Sequence, residues 1–388
     1  MGVVFEFNGE KAAVRDLVSV QALDRSFYGI EKKEKGKFEL ELSAEEALYL
    51  LDVRNAECKG PSGKLLLFND IARKCDHSKK FLARYFCYKD WRDRGLVARE
   101  FSEAKKNYGR NPVKKYPSGE FKPFEIAAKG LFFYDDLMTV IDDDAVGAQL
   151  YDNGWFGQLG TYKARKHGRF LKLDAYETLF LMRHCALALN VGEKRLIEEA
   201  TKRRSDFLAL YEVYEDWRLR GCVLKTGFKF GTHFRLYLPG ASPALSNDDW
   251  MHSKHVIHVF PRESKMLISE WSRAIRVAHG VKKTFILAIP GTKREVPSEI
   301  DYILYHRAKD GIETPKNAGP RFAMLALSEE EEIGGQELAK AIETSKKFGL
   351  DLMLAICDRE TAVTHYLVKR IALPSSKFEY YEIEWSQP

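Results

Sequence analysis

Three short stretches in the second half of the chain carry side chains able to handle protons and phosphate. Gly227-Phe228-Lys229-Phe230-Gly231-Thr232-His233-Phe234-Arg235-Leu236-Tyr237 reads as an aromatic and basic strand with two glycines near its start and a phenol at its end. His252-Ser253-Lys254-His255-Val256-Ile257-His258-Val259 opens on an imidazole, the side chain whose ordinary pKa lies nearest neutrality. The two-residue period of a strand puts His252 and His258 on one face and His255 on the other. That divergence argues against a three-histidine metal site, whose ligands must converge. Val281-Lys282-Lys283 lies between a helix bearing Arg273 and Arg276 and the apolar strand Phe285 to Ile289. If the helix persisted as far as Lys283, Arg276 and Lys283 would share a face and offer two cations to one phosphate.

The elements that must position these residues repeat within the chain. Tyr88-Lys89-Asp90-Trp91-Arg92-Asp93-Arg94-Gly95 returns as Tyr214-Glu215-Asp216-Trp217-Arg218-Leu219-Arg220-Gly221, and Phe27-Tyr28-Gly29 matches Trp155-Phe156-Gly157. Upstream of the octets, Leu42 to Leu51 aligns with Leu173 to Met182. A period above one hundred residues is too long for a solenoid and indicates a duplicated domain. A weaker repeat relates Ser272 to Ile289 and Leu338 to Ile356, each a helix followed by a buried strand. It sets Lys283 opposite Leu350 and His252 opposite Gly319, so the last unit keeps the frame without the reactive side chains.

The expected class is a multidomain α+β or α/β protein, with a duplicated α/β N-terminal domain and a duplicated, nuclease-like α/β C-terminal domain. The expected boundaries are a noncatalytic N-terminal-type domain over 1–100, a basic linker over 101–130, the N-terminal domain of the catalytic unit over 131–225, its C-terminal domain over 226–312, and a degenerate C-terminal-type domain over 313–388. In the first of these, Val3 to Phe7 and Val18 to Leu23 alternate as half-exposed strands do. Ser43 precedes Glu46 at capping-box spacing, and Leu66 to Asp93 is helical up to the stop signal at Gly95. The linker, with seven Lys and Arg side chains between Lys105 and Lys129, reads as a solvated tether, an RNA contact being the alternative. The loop from Lys163 through Lys166 to Arg169 reads as a solvated loop, a phosphate contact that widens a substrate range being the alternative. The tail Phe378 to Trp385 alternates like an edge strand.

The 388 residues carry a net charge of +6, which permits a polyanionic partner without requiring one, and 45% hydrophobic content, enough for real cores. The six cysteines show no CxxC spacing, no signal-like segment opens the chain, and no apolar run approaches the length of about 20 residues that spans a bilayer. The expectation is a cytoplasmic protein with reduced thiols and no membrane role.

In Tyr214 to Gly221, Gly227 to Tyr237, His252-Ser253 and Arg273 to Lys283, the chain resembles the archaeal tRNA-splicing endonucleases over most of its length. The resemblance implies an active site of Tyr237, His252 and Lys283 that needs no metal and no cofactor. It implies cleavage of intron-containing precursor tRNA at bulge-helix-bulge structures, leaving a 2′,3′-cyclic phosphate and a 5′-hydroxyl. Tyr237 would take the 2′-hydroxyl proton, His252 would protonate the leaving 5′-oxygen, and Lys283 would stabilise the phosphorane oxygens. Arg276, with Arg273 on the same helix, stands where the family holds a flipped base. Trp385 is a second candidate for that role, core packing being its alternative. Asp358 and Glu360 occupy the place of an acidic loop that docks one unit into another. One chain would supply one site, and a homodimer the two that intron excision needs. The competing readings are a noncatalytic RNA-binding scaffold and a metal-dependent nuclease. The second is weakened by the lack of a carboxylate pair with Lys on the strands.

Overall fold

The computed structural model describes residues 2–9, 11–34, 37–75, 79–161, 167–243, 252–309 and 311–388. Its centre is a mixed sheet of ten strands in line: Val223–Thr226, Phe234–Tyr237, His255–Val259, Thr284–Ala288, Tyr380–Ser386, Val363–Ala372, Asp351–Cys357, Phe322–Ser328, Tyr302–Leu304 and Ala98–Glu100. An eleventh strand, Lys114–Lys115, pairs in parallel with Ile371 and Ala372. Alternation along the strands divides the sheet between two layers. Val256, Phe285, Leu287, Ala323, Leu325 and Leu327 pack under the helices Ile268–Gly280 and Gly335–Lys347. On the opposite face, Ile257, Val259, Ile286 and Ala288 join a core with residues 116–224. Met324, Ala326, Met353 and Ala355 join another with residues 5–98. Residues 5–98 and part of the segment 302–367 therefore share one core.

The repeated octets turn out to be fasteners. Trp91 and Trp217 are fully buried, on the helices Phe81–Asp93 and Phe207–Leu219. Arg218 lies 3.9 Å from the centre of the Phe156 ring and donates to the carbonyls of Gly154 and Cys222. Arg92 does the same over Tyr28, at 4.0 Å, and donates to Ser26 and Leu96. Both capping boxes form, and their glutamates are buried. Glu177 accepts from the backbone of Gly157 and from Lys225 Nζ at 2.7 Å; Glu46 accepts from Gly29 and from Arg99 at 3.3 Å. The same buried carboxylate, glycine N–H and strand cation thus recur at both corners.

Several expectations change. Val18 to Leu23 belongs to a helix, Leu17–Arg25, because Asp16 caps it by accepting from Ser19 N at 2.8 Å. Tyr380–Ser386 is an interior strand, not an edge. Tyr302–Leu304, expected in the catalytic C-terminal domain, pairs with Ala98–Glu100 and Phe322–Ser328 and packs with the first segment.

The linker is neither a tether nor exposed throughout. Tyr108 N donates to Phe348 O and Arg110 N to Gly349 O. Lys114 Nζ and Tyr116 Oη both donate to Glu382, which is 1% exposed, and Gly119 and Phe121 hydrogen-bond to Arg220 and Leu219. Among the described residues no helix is long and apolar enough to cross a membrane.

Removing the cation from either corner strands a buried carboxylate. Lys225→Met and Arg99→Met should each cost about 3–5 kcal/mol, read as a lowered denaturation midpoint, while Lys225→Arg should recover most of the loss. An unchanged midpoint in either methionine variant would show that its pair contributes nothing.

Candidate active site

Each of the three chemical stretches is held by a different backbone device. Tyr237 ends its strand opposite Val223, buried, with its ring 4.7 Å from that of Trp155 between centres. Trp155 stands at the end of the helix Asp144–Gly154 with φ of 48°, a left-handed conformation that turns its ring toward Tyr237. Arg235, two residues earlier on the same face, donates from Nη1 to Tyr237 Oη at 3.2 Å and from Nε to Thr226 O.

His252 is exposed and precedes its strand, which starts at His255. Its neighbour Ser253 is buried, and Lys283 Nζ donates to both the carbonyl and the hydroxyl of Ser253, the latter at 3.2 Å. Lys283 therefore fixes the backbone that carries His252. Its ammonium lies 4.9 Å from the centre of the Phe230 ring. Partial burial, and then the Arg235 charge, hold its pKa below the ordinary lysine value. Arg235 thus touches Tyr237 and is felt by Lys283, while Ser253 joins Lys283 to His252.

Lys283 does not share a helix face with Arg276. The helix ends at Gly280, Lys282 adopts φ of 56°, and Lys283 N closes back on Ala278 O. Arg276 is exposed and donates to Ser272 Oγ at 3.0 Å, and Ser272 in turn meets Tyr366 Oη at 3.1 Å. Tyr366 pairs with Trp385, which is 57% exposed, so packing in the core does not account for that indole. Because Phe285 pairs with Ile383, Trp385 lies at the end of the sheet where Lys283 stands. Arg273 is exposed on the same helix as Arg276. Lys163 and Lys166 lie outside the described residues. Asp358 Oδ1 accepts from Glu360 N and Ala362 N, both at 2.9 Å, in the turn after Asp351–Cys357, with Glu360 exposed.

The remaining histidines are framework. His258 packs on His233, ring centres 4.8 Å apart, and on Phe285, and burial drives their pKa values down to about 3 and about 4. His255 Nδ1 sits 3.4 Å from Tyr116 Oη, and burial outweighs the Glu382 charge to leave its pKa near about 4. Among the described residues no three His, Cys, Asp or Glu side chains converge as metal ligands. Arg235 and Ser253 were missed as working parts; Arg235 could have been found from its two-residue spacing to Tyr237.

Strand register locates the corresponding positions in the last unit. His255 faces Thr284 as Phe322 faces Asp351, so Gly319 and Leu350 stand where His252 and Lys283 stand. Tyr305 N donates to Val97 O, in the place of the Tyr237 and Val223 pair. This surface is covered by the linker. A Cβ on Gly319 would lie 2.8 Å from the Tyr108 ring, and one on Gly349 would strike Asn107. A double-mutant cycle tests the plug. Gly319→Ala should cost about 1–3 kcal/mol by overpacking, and the cost should largely vanish in a Tyr108→Ala background. Additive losses would show that the ring is not the obstacle.

Comparison with known proteins covers the segment that carries Tyr237, His252 and Lys283. Residues 133–201 match the profile of the tRNA intron endonuclease N-terminal domain, and residues 207–298 that of the tRNA intron endonuclease catalytic C-terminal domain. A tRNA-splicing endonuclease of Hyperthermus butylicus is 34% identical over 182 residues, 45% of this chain and 95% of the relative. One of Methanopyrus kandleri is 34% identical over 150 residues, 37% of this chain and 79% of the relative. One of Methanosarcina mazei is 29% identical over 200 residues, 50% of this chain. The chain spans about half the length of that last relative, 52%.

Proposed function

The chain belongs to the tRNA-splicing endonuclease family, and from that premise we propose that it cuts intron-containing precursor tRNA at both intron boundaries by metal-independent transesterification. The observation that carries this reading is that Lys283 holds the Ser253 peptide next to His252 while Arg235 donates to Tyr237 Oη. In the reaction, the 2′-hydroxyl beside the scissile phosphate gives its proton to Tyr237 and its oxygen attacks phosphorus. The bond from phosphorus to the 5′-oxygen breaks as His252 delivers a proton to that oxygen. The products are a 2′,3′-cyclic phosphate and a 5′-hydroxyl. Lys283 lies where charge would grow on the nonbridging oxygens, and preorganised cations act most strongly there.

An unperturbed tyrosine is a poor base at neutral pH, and burial of the ring favours the neutral phenol, so the role of opposing both is assigned to the Arg235 guanidinium that donates to Tyr237 Oη. Arg276 and Trp385, at the same end of the sheet as Lys283, suit a bulge-helix-bulge substrate whose unpaired bases need stacking partners. The matching buried corners and the matching strand registers support a duplicated architecture, in which the first and last segments form a noncatalytic unit around the catalytic one. With one complete trio per chain, two cuts call for a homodimer, and the exposed Glu360 turn is the surface we assign to contact between units.

Cleavage of labelled precursor tRNA in excess chelator should persist in the wild type and yield cyclic phosphate, and His252→Ala should lose it by at least about a hundredfold. Tight binding without cleavage by the wild type would favour the scaffold reading instead, and loss of activity in chelator a metal-dependent nuclease. Arg235→Met should lower kcat and move its rise with pH upward by about one unit or more, since removing a cation raises the phenol pKa. A pH profile that stays in place would remove Tyr237 from the role of base.

A further inference from the structure

Between the strands Val223–Thr226 and Phe234–Tyr237 the chain makes a single 3-10 turn, Phe228–Phe230, whose two aromatic rings point to opposite fates. Phe230 is half-buried, beneath the Lys283 ammonium. Phe228 is 87% exposed. Isolated apolar side chains on a surface are ordinary; what sets this one apart is how firmly the turn holds it outward. Phe230 N donates to Gly227 O at 2.8 Å, Gly231 N to Phe228 O at 3.2 Å, and Gly227 N to His233 O at 2.9 Å. A Cβ on Gly227 would meet Thr232 Oγ1 at 2.5 Å and Phe234 N at 2.8 Å, and Gly231 has φ of 64°. Only glycine fits this geometry without strain.

We propose that Phe228 is a stacking platform for an unpaired base of the RNA, placed beside the scissile phosphate by the same turn that seats Phe230 under Lys283. The turn lies between residues that meet both ends of the candidate trio: Arg235, in the strand after it, donates to Tyr237 Oη and to the carbonyl of Thr226 just before it, and Phe230 within it contacts Lys283. Gly231 approaches Ala274 on the helix that carries the exposed Arg273 and Arg276. From Trp217 to Asn247 the sequence contains no acidic residue, and Lys229 is adjacent and exposed. An aromatic face held out within a cationic surface matches a polyanion with flat bases better than an apolar protein partner. This inference rests on the RNA-cleavage reading above and adds to it a contact with a base.

The test uses the full chain and a precursor tRNA carrying 2′-deoxy nucleotides at both cut sites, so that binding is read without cleavage. Phe228→Ala should weaken binding about tenfold or more, and Phe228→Trp should retain it. An abasic substitution at one bulge position should weaken wild-type binding similarly while adding little to the loss in Phe228→Ala. Wild-type affinity in Phe228→Ala, with the normal substrate still cut by the wild type, would overturn this inference and leave the cleavage reading standing. A shift in sedimentation of Phe228→Ala without RNA would assign the ring to a contact between chains and overturn it too. Failure of the wild type to bind or cut RNA would overturn both.

Discussion

The pairing of Thr284–Ala288 with the C-terminal strand Tyr380–Ser386 is the interaction on which the rest of the molecule depends. Without it, the strand that follows Lys283 would present an open row of backbone donors and acceptors, the costliest kind of edge. The chain meets this constraint from far away in sequence, by sending its last strand back across the middle. Glu382 sits in that strand opposite Ile286 and is sealed from water, so its carboxylate needs partners. Lys114 and Tyr116 supply them from the linker, and Tyr116 reaches on toward His255, on the strand that follows His252. The seam therefore braces the two strands beside which His252 and Lys283 stand, using segments that carry no chemistry of their own.

The same constraint explains which parts of the fold could be read from the sequence. Local signals sufficed where one element closes on itself: Ser43 with Glu46 and Asp174 with Glu177 spell capping boxes, and both form. The repeated octets were legible as repeats, yet their purpose was not, because the targets of Arg92 and Arg218 are carbonyls that lie more than sixty residues away as well as nearby. The linker misled for a related reason. Its lysines and prolines describe a solvated chain in isolation, and only the buried Glu382, far along the sequence, reveals that Lys114 is spoken for. The tail alternates as an edge strand would, but the partner that covers its second side is the middle of the chain.

For the candidate site the order of legibility was reversed. Tyr237, His252 and Lys283 could be named as candidates from their types and from the family resemblance, while Arg235 and Ser253, which they contact or adjoin, could not. Arg235 and Ser253 are unremarkable in type; their value comes from a strand register and from a left-handed turn at Lys282 that delivers Lys283 to the Ser253 peptide. That same turn is why Arg276 parts company with Lys283: a helix that stopped one turn later would have aligned the two cations and withdrawn the ammonium from His252. The spacing of seven was real and the helix was too short to use it.

The last unit has a matching strand register with other side chains at the corresponding positions. Gly349 repeats the left-handed conformation of Lys282, with φ of 64° against 56°, so the backbone that would deliver a lysine is intact, and Leu350 is delivered instead, into the core. Gly319 leaves a hollow where an imidazole would project, and a hollow beside an apolar side chain is a place for an aromatic ring. Tyr108 fills it from the linker, and the linker backbone hydrogen-bonds to Phe348 and Gly349 on either side. The segment held on this surface is the one that goes on to supply Lys114 and Tyr116 to the seam. The frame that carries Gly319 and Leu350 and the seam that braces the strands beside His252 and Lys283 are in this way connected through a single stretch of about ten residues.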